Sequence, residues 1–241
     1  MALQAIVFDC DGVLVDSEPL HYRAFQEVLR PFGLCFDYSQ YLEKFIGFDD
    51  RETFIEAFQG VQPPLTREML LRLIEDKARS LERILSGGIE TFPGVVELVR
   101  HLADRGVPLA VASGALKHEV EGFIRALGLN GAFSAVVTAD EVERSKPDPE
   151  TYRVAVKRLG ANTGRPWLSC ADCMAIEDTP AGIRSAGEAG LFVLGVTNSF
   201  PADELREAHR VLSTLKGLDF NEMVLMFEKR AERRASDENN G

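Results

Sequence analysis

The sequence predicts an α/β protein with a doubly wound parallel sheet and a small helical domain inserted after the first strand. Two observations support this prediction. From residue 92 onward, short apolar runs alternate with stretches of helical periodicity, whereas residues 17–90 show helical periodicity and no convincing strand. Strands and helices that alternate at these lengths form right-handed crossovers, which place the strands in a parallel sheet with helices on both faces.

The first predicted element is a buried strand. Residues 3–8, LQAIVF, form a short apolar run that stops at the Asp-Cys-Asp-Gly turn of residues 9–12. Apolar runs of this length, bounded by turn-forming residues, are typical of buried strands. Asp9 and Asp11 therefore follow the carboxyl end of the first strand.

The inserted segment has a helical pattern. Apolar residues follow helical spacing over residues 20–29, and a long amphipathic helix begins near Thr66 and ends before Gly87 and Gly88. The predicted division of the chain is an α/β domain of residues 1–16 and 92–230, a helical domain of residues 17–91, and a disordered tail of residues 231–241 with little to bury.

The second part of the α/β domain consists of four pairs of a helix and a strand. The predicted ranges are a helix at 94–105 before a strand at 107–113, a helix at 116–127 before a strand at 133–140, a helix at 150–159 before a strand at 173–178, and a helix at 180–189 before a strand at 191–196. In such sheets ligands bind beyond the carboxyl ends of the strands. Polar residues that directly follow a strand are therefore the candidate site residues.

The overall composition is that of an ordinary soluble globular protein. Of the 241 residues, 45% are hydrophobic and 27% are charged, and the formal net charge is −11 without any large basic stretch. A nucleic-acid partner is therefore not expected. The first residues lack a signal-peptide pattern, and no apolar stretch approaches the ~18–20 residues that would span a bilayer. We expect a cytoplasmic protein without a membrane partner, as a monomer or a small homo-oligomer.

The cysteines predict neither a disulfide framework nor a zinc site. Cys10, Cys35, Cys170 and Cys173 are too few and too scattered for a framework. Cys170 and Cys173 have the C-x-x-C spacing, but no second pair is present to complete a zinc site. We expect a buried thiol or a coincidence of spacing at this pair.

Polar residues from four separate stretches are expected to meet at the carboxyl edge of the sheet. They are Asp9 and Asp11 after the first strand, Ser113 and Gly114 after the second, Glu177 and Asp178 at the end of the fourth, and Lys146 in a loop before a helix. Crowded carboxylates repel one another and stay ionised when they share a cation. Hard oxygen ligands without clustered His or Cys indicate Mg²⁺.

Such a site is suited to phosphoryl transfer. A carboxylate beside Mg²⁺ is a usable nucleophile toward phosphorus, because the metal screens it from the anionic phosphoryl group. Lys146, with the hydroxyl and backbone N–H groups at Ser113 and Gly114, would neutralise the transferring oxygens. Asp11 could protonate the leaving oxygen and later deprotonate a water molecule. The chemistry indicated is transfer through an aspartyl-phosphate on Asp9.

Four stretches of the sequence resemble, in order, the four motifs of the haloacid dehalogenase-like (HAD) hydrolases. They are FDCDGVLVDS (8–17), VASG (111–114), SKPDPE (145–150) and AIEDTPAGIRSAGEAG (175–190). The resemblance covers residues 3–215 and implies a Rossmann-like core. The helical domain resembles the family's cap, and the sequence looks most like the phosphatase and β-phosphoglucomutase branch with an α-helical cap.

The resemblance implies a catalytic role for each matched residue. Asp9 would be the nucleophile, and Asp11 would be the general acid and base. Ser113 and Gly114 would hold the phosphate, with Lys146 paired both to the phosphate and to the nucleophile.

The resemblance also implies a Mg²⁺ site. Its ligands would be the carboxylates of Asp9 and Asp178 and the backbone carbonyl of Asp11. Glu177 would either coordinate the metal directly or contact one of its ligands.

Three residues of the helical domain are candidate substrate contacts: His21, Arg51 and Lys77. His21 lies in DSEPLH (16–21), which is similar to the hinge region of the same branch. Each of the three is equally compatible with an ordinary surface or hinge position, and the sequence leaves both interpretations open.

The function that the sequence favours is a Mg²⁺-dependent phosphatase for a small phosphorylated metabolite, of the sugar phosphate or phosphoglycolate type. A β-phosphoglucomutase-type phosphotransferase is the alternative, because the two differ only in whether water or a sugar hydroxyl reaches Asp9. Asp11 argues against a dehalogenase or a phosphonatase, since those branches of the family lack an acid at this place. A non-catalytic binding protein with the same fold is a further alternative, which the complete set of site residues argues against.

Overall fold

The structure, a computed structural model, describes residues 2–45 and 48–238, with side chains up to residue 229. Contacts within the chain divide it into two compact units. One unit comprises Met1–Val15 and Glu90–Gly241, and the other comprises Asp16–Ile89. We refer to them as the α/β unit and the helical unit.

The α/β unit is built on a fully parallel sheet, as the sequence predicts, and this sheet has six strands among the described residues. The strands are β1 (Ala5–Phe8), β2 (Leu109–Ala112), β3 (Ala135–Val137), β4 (Cys173–Glu177), β5 (Phe192–Val196) and β6 (Arg210–Leu212). Their order in the sheet is β3-β2-β1-β4-β5-β6. The sequence did not predict β6, because this edge strand has three residues, all only half-buried, and too short an apolar run to be recognised.

The strand order reverses at β1, which lies between β2 and β4. Phe8 of β1 is in register with Val111 of β2 on one side and with Ile176 of β4 on the other. Asp9, directly after β1, and Glu177, the last residue of β4, are therefore at the same level of the sheet. A parallel sheet opens a crevice at such a reversal, beyond the carboxyl ends of its strands.

The helical unit contains four α-helices and no strand among its described residues. The helices are α1 (Glu18–Leu29), α2 (Tyr38–Lys44), α3 (Asp50–Ala57) and α4 (Arg67–Ser86). Thr66 caps α4, where its Oγ1 accepts a hydrogen bond from the Met69 N–H at 3.2 Å. An aromatic-rich core that includes Phe25, Tyr41 and Phe54 packs the unit.

The described residues of the α/β unit form five further α-helices: α5 (Val95–Asp104), α6 (Lys117–Ala126), α7 (Glu150–Asn162), α8 (Pro180–Ala189) and α9 (Phe220–Glu238). The chain enters α8 directly from β4 through a cap at Thr179, whose side chain accepts from the Gly182 N–H at 3.0 Å. Pro180 at the first helical position supports the same sharp start, because its fixed φ suits a helix and its missing N–H is not needed there.

Helix α9 enters the predicted tail of residues 231–241, and the disorder of that tail stays a prediction. The helix continues to Glu238, and residues 239–241 lie outside the described part of the chain. Met223 and Phe227, four residues apart, are both buried and attach the helix to the α/β unit. Once a helix is nucleated by such packing, each further residue adds a backbone hydrogen bond, so the helix can extend beyond its packed residues.

Across the described residues, every helix is too short or too polar to cross a lipid bilayer.

Candidate active site

Asp9 directly follows β1 and is held by hydrogen bonds with the backbone of neighbouring residues. Its backbone N–H donates to the Ile176 carbonyl at 3.0 Å, which extends the pairing with β4 by one residue. Its Oδ1 accepts the N–H of Cys10 at 2.7 Å, and Cys10 is itself buried. The side chain of Asp9 is therefore held in one orientation at the reversal of the sheet.

Lys146 joins the carboxylates at the ends of β1 and β4. Its Nζ lies 2.8 Å from Asp9 Oδ1 and 2.7 Å from Glu177 Oε1. Burial lowers the pKa of Lys146, but the adjacent Asp9 and Glu177 carboxylates raise this pKa by more, so the ammonium stays charged. Glu150 fixes the loop that carries Lys146, because its carboxylate accepts the N–H of Glu143 at 3.0 Å and of Arg144 at 3.2 Å.

The site holds more negative charge than Lys146 neutralises. Burial, followed by the charge of Glu177, raises the pKa of Asp9 well above its usual value, although Lys146 opposes this shift. The same two causes raise the pKa of Asp178 to about 7. Buried carboxylates whose ionised form is disfavoured in this way gain from a bound cation.

The acidic residues fit a hard divalent cation. One carboxylate oxygen from each of Asp9, Glu177 and Asp178 lies within 4.8 Å of the other two. Oδ1 of Asp178 is buried and has no hydrogen-bond partner among the described residues. A buried oxygen without a donor is costly unless something binds it. Oxygen ligands of this kind suit Mg²⁺.

Ser113 and Asp11 face each other on the other side of β1. The Ser113 N–H donates to the Val137 carbonyl at 2.9 Å, and its Oγ accepts from the Ala115 N–H at 3.0 Å. The same hydroxyl lies 3.5 Å from Asp11 Oδ2, at the limit of a hydrogen bond. Gly114 follows in the exposed turn. All seven residues predicted for this unit thus lie at one edge of the sheet.

Residues beyond β5 also contribute to the site, and the sequence analysis missed them. The hydroxyl of Ser199 donates a hydrogen bond to Asp178 Oδ2, and Asn198 Nδ2 donates to the Gly12 carbonyl at 2.7 Å. The signal was present, since Thr-Asn-Ser directly follows an apolar strand at the same edge of the sheet. Because these side chains are uncharged, a search of the sequence for clustered charged residues does not detect them.

Two glycines are required by the closeness of the carboxylates. A Cβ on Gly12 would overlap the carboxylate of Asp178 and approach the hydroxyl of Ser199, and its φ of +76° also favours glycine. A Cβ on Gly182 would overlap the carboxylate of Glu177. The loop after β1 and the first turn of α8 can therefore approach the acidic residues only where a side chain is absent.

The three candidate residues of the helical unit lie in different environments. Arg51 is exposed and His21 is half-buried. Lys77 has 1% of its surface exposed, with Nζ 2.7 Å from Asp50 Oδ1 and 2.8 Å from His21 Nδ1. Lys77 is therefore almost completely buried inside the helical unit. Substrate contact by any of the three stays a prediction.

Comparisons with known proteins identify the family of the chain. The family model described as haloacid dehalogenase-like hydrolase matches residues 6–196. The chain is 30% identical over 197 residues to the fructose-1-phosphate phosphatase YqaB of Escherichia coli, covering 79% of this chain and 95% of that one. It is 28% identical over 203 residues to the β-phosphoglucomutase of Bacillus subtilis, covering 83% and 85%. The crystal structure of CbbY from Rhodobacter sphaeroides in complex with phosphate superimposes with a TM-score of 0.75 at 27% identity, covering 90% and 96%.

Proposed function

Since the chain belongs to the haloacid dehalogenase-like hydrolases, we propose that it is a Mg²⁺-dependent phosphatase that hydrolyses a small phosphorylated sugar with Asp9 as the nucleophile. The observation that supports this most is the contact of Lys146 Nζ with Asp9 Oδ1 at 2.8 Å, beside the unpartnered buried oxygen of Asp178. The two relatives described above act on sugar phosphates by their names, one as a phosphatase and one as a mutase. A phosphoglycolate-type substrate belongs to the same chemical class of small phosphate monoesters.

Mg²⁺ would be held by the carboxylates of Asp9 and Asp178 and, as in the family, by the backbone carbonyl of Asp11. When bound, it supplies positive charge that offsets the repulsion between a carboxylate and a phosphoryl group. Ser199 keeps one oxygen of Asp178 occupied, which leaves the other oxygen for the cation.

In the first step, a carboxylate oxygen of Asp9 attacks the phosphorus atom and the bond from phosphorus to the sugar oxygen breaks. The carboxyl group of Asp11 gives its proton to that leaving oxygen. Lys146 and the hydroxyl of Ser113 donate hydrogen bonds to the phosphoryl oxygens, where negative charge builds up. The product is an aspartyl-phosphate on Asp9 and a free sugar.

In the second step, the Asp11 carboxylate removes a proton from a water molecule, which attacks the phosphorus of the aspartyl-phosphate. The bond from phosphorus to Asp9 breaks, which releases phosphate and restores the carboxylate. Asp11 is again protonated, so it is ready for the next leaving group. In the free site the carboxylates of Asp9 and Glu177 raise the pKa of Lys146, so the reaction starts with a charged ammonium.

A phosphomutase of the β-phosphoglucomutase type is the second candidate. It would use the same aspartyl-phosphate, but a sugar hydroxyl would take the place of water in the second step. The mutase relative of 28% identity supports this candidate. We propose that the helical unit acts as the family's cap and controls which of the two nucleophiles arrives.

The deciding experiment measures phosphate release with Mg²⁺ from a panel of sugar and small-acid monophosphates. A coupled assay for conversion of β-glucose 1-phosphate to glucose 6-phosphate runs beside it. Release that stops in Asp9→Asn and after EDTA treatment supports the phosphatase, and isomer conversion with little free phosphate supports the mutase. Asp104→Asn, the same change at an exposed position on α5, is the control and is expected to keep full activity. No turnover of any phosphate monoester would reject both candidates.

A further inference from the structure

Glu177 differs from the other two acidic residues because its carboxylate has no oxygen left for a cation. Oε1 accepts from Lys146 Nζ at 2.7 Å and from the Tyr152 hydroxyl at 2.8 Å. Oε2 accepts from the Asp178 N–H at 3.0 Å and from the N–H and hydroxyl of Thr179 at 3.3 and 3.2 Å. A carboxylate has about four lone-pair sites, so these five donors occupy it fully.

Tyr152 is the only one of these donors that comes from the body of a helix packed in the core. It is the third residue of α7, has no exposed surface, and belongs to the same core cluster as Val137 and Ile183. Its hydroxyl therefore donates to Glu177 from a rigid position.

The ring of Tyr152 also supports Lys146. Lys146 Nζ lies 5.1 Å from the centre of this ring, within the range of a cation–π interaction. The same side chain thus contacts the lysine through its ring and the acceptor of that lysine through its hydroxyl. Two of the three ammonium N–H groups point to Glu177 and Asp9. These contacts hold the ammonium between the two carboxylates.

We propose that Tyr152 is a positioning residue: its hydroxyl holds Glu177, and through Glu177 it keeps the Lys146 ammonium against Asp9 in the orientation that phosphoryl transfer needs. This inference rests on the proposed function. It assigns Glu177 to Lys146 and leaves the metal to Asp9 and Asp178.

The test is the Tyr152→Phe variant, which removes the hydroxyl and keeps the buried ring. With saturating Mg²⁺ and the monophosphate that the wild-type protein hydrolyses fastest, we expect kcat to fall on the order of tenfold, because a hydrogen bond to a buried charged group is lost. KM and the Mg²⁺ concentration for half-maximal rate should change little. An unchanged kcat would overturn the inference. So would a rise in the Mg²⁺ requirement as large as the fall in kcat, because it would make Glu177 a metal ligand.

Tyr41→Phe is the matched control. Tyr41 is also buried, and its hydroxyl donates to the Glu18 carboxylate at 2.8 Å inside the helical unit. Both variants lose one tyrosine hydroxyl that donates to a carboxylate. We expect Tyr41→Phe to keep a kcat close to wild type, and an equal fall in both variants would overturn a specific role for Tyr152.

A second readout needs no turnover. In a crystal structure of Tyr152→Phe, we expect Lys146 Nζ to lose its contact with Asp9 or with Glu177. Retention of both contacts would overturn the inference, whatever the activity. This readout also separates the two proposals. A wild-type protein that releases no phosphate rejects the proposed function, whereas the position of Lys146 in the Tyr152→Phe structure tests the role of Tyr152.

Discussion

The hydroxyl of Ser199, beyond β5, donates a hydrogen bond to Oδ2 of Asp178, beyond β4. Oδ1 of the same carboxylate is buried and has no partner among the described residues. Ser199 therefore orients the carboxylate that we propose as a Mg²⁺ ligand. Residues that orient a metal ligand in this way influence the affinity for the metal without touching it.

We expect Ser199→Ala to raise the Mg²⁺ concentration needed for half-maximal phosphate release by about 10- to 100-fold, because Asp178 loses the donor that orients it. The rate at saturating Mg²⁺ should fall much less. The measurement is a Mg²⁺ titration of initial rates. Ser86→Ala, at an exposed serine at the end of α4, should leave the titration unchanged. An unchanged Mg²⁺ requirement in Ser199→Ala would contradict the assignment of Asp178 as a ligand.

In the metal-free protein, ionisation of Asp178 is expected to cost stability as the pH rises from about 4 to about 7. Asp178 has its pKa raised from 3.8 to about 7 in the folded protein. The folded state therefore binds more protons than the unfolded state in this window, so the free energy of unfolding contributed by this group falls with rising pH. Urea unfolding in EDTA at several pH values measures the effect.

Asp178→Asn should flatten this pH dependence and make the metal-free protein more stable than wild type near pH 8. The amide carries no charge at any of these pH values, so the unfavourable ionisation is removed. Added Mg²⁺ should stabilise the wild-type protein and have much less effect on the variant. A wild-type slope no steeper than that of the variant would contradict this prediction.

Lys146→Met is expected to abolish phosphate release and to destabilise the metal-free protein by about 3–5 kcal/mol near pH 8, because the buried carboxylates of Asp9 and Glu177 lose their shared counter-charge. Lys157→Met, at an exposed lysine of α7, should change the free energy of unfolding by no more than about 0.5 kcal/mol. Denaturant unfolding in EDTA gives both values. Equal effects of the two substitutions would mean that the ion pairs of Lys146 contribute nothing to stability.

Gly12→Ala tests the close approach of the loop after β1 to Asp178. A Cβ would overlap the Asp178 carboxylate, and φ is +76°, so we expect a loss of both stability and Mg²⁺-dependent activity. Gly33 is the matched control, because its φ is +69° but a Cβ there meets no atom within 4 Å. Gly33→Ala should cost only the backbone strain, about 1–2 kcal/mol, and should keep activity. A Gly12→Ala protein as stable and active as Gly33→Ala would show that the overlap is relieved easily.

The sheet could be predicted because its signals are local. Apolar runs such as residues 173–176 and the turn formers around Gly12 identify strands and their ends without knowledge of the partner strands. Strand β6 was not predicted because it has only three residues, all half-buried, and is defined by its pairing with β5. Such pairing produces no recognisable pattern in so short a run. Helix α9 is anchored by the buried side chains of Met223 and Phe227. Their burial depends on the face of the α/β unit that they contact, which the local sequence does not show.

For the site, the sequence by itself determined which chemical groups stand at the carboxyl edge of the sheet: four acids, a hydroxyl and an ammonium, each following an apolar run or preceding a helix. The tertiary structure alone decided how they are paired. Glu177 is saturated by Lys146, Tyr152 and Thr179, whereas the adjacent Asp178 keeps one buried oxygen without a donor. The reason is geometric. Donors reach these carboxylates from the residues after β5, from α7 and from the SKPDPE loop. Their positions depend on the packing of segments that are far apart in the chain.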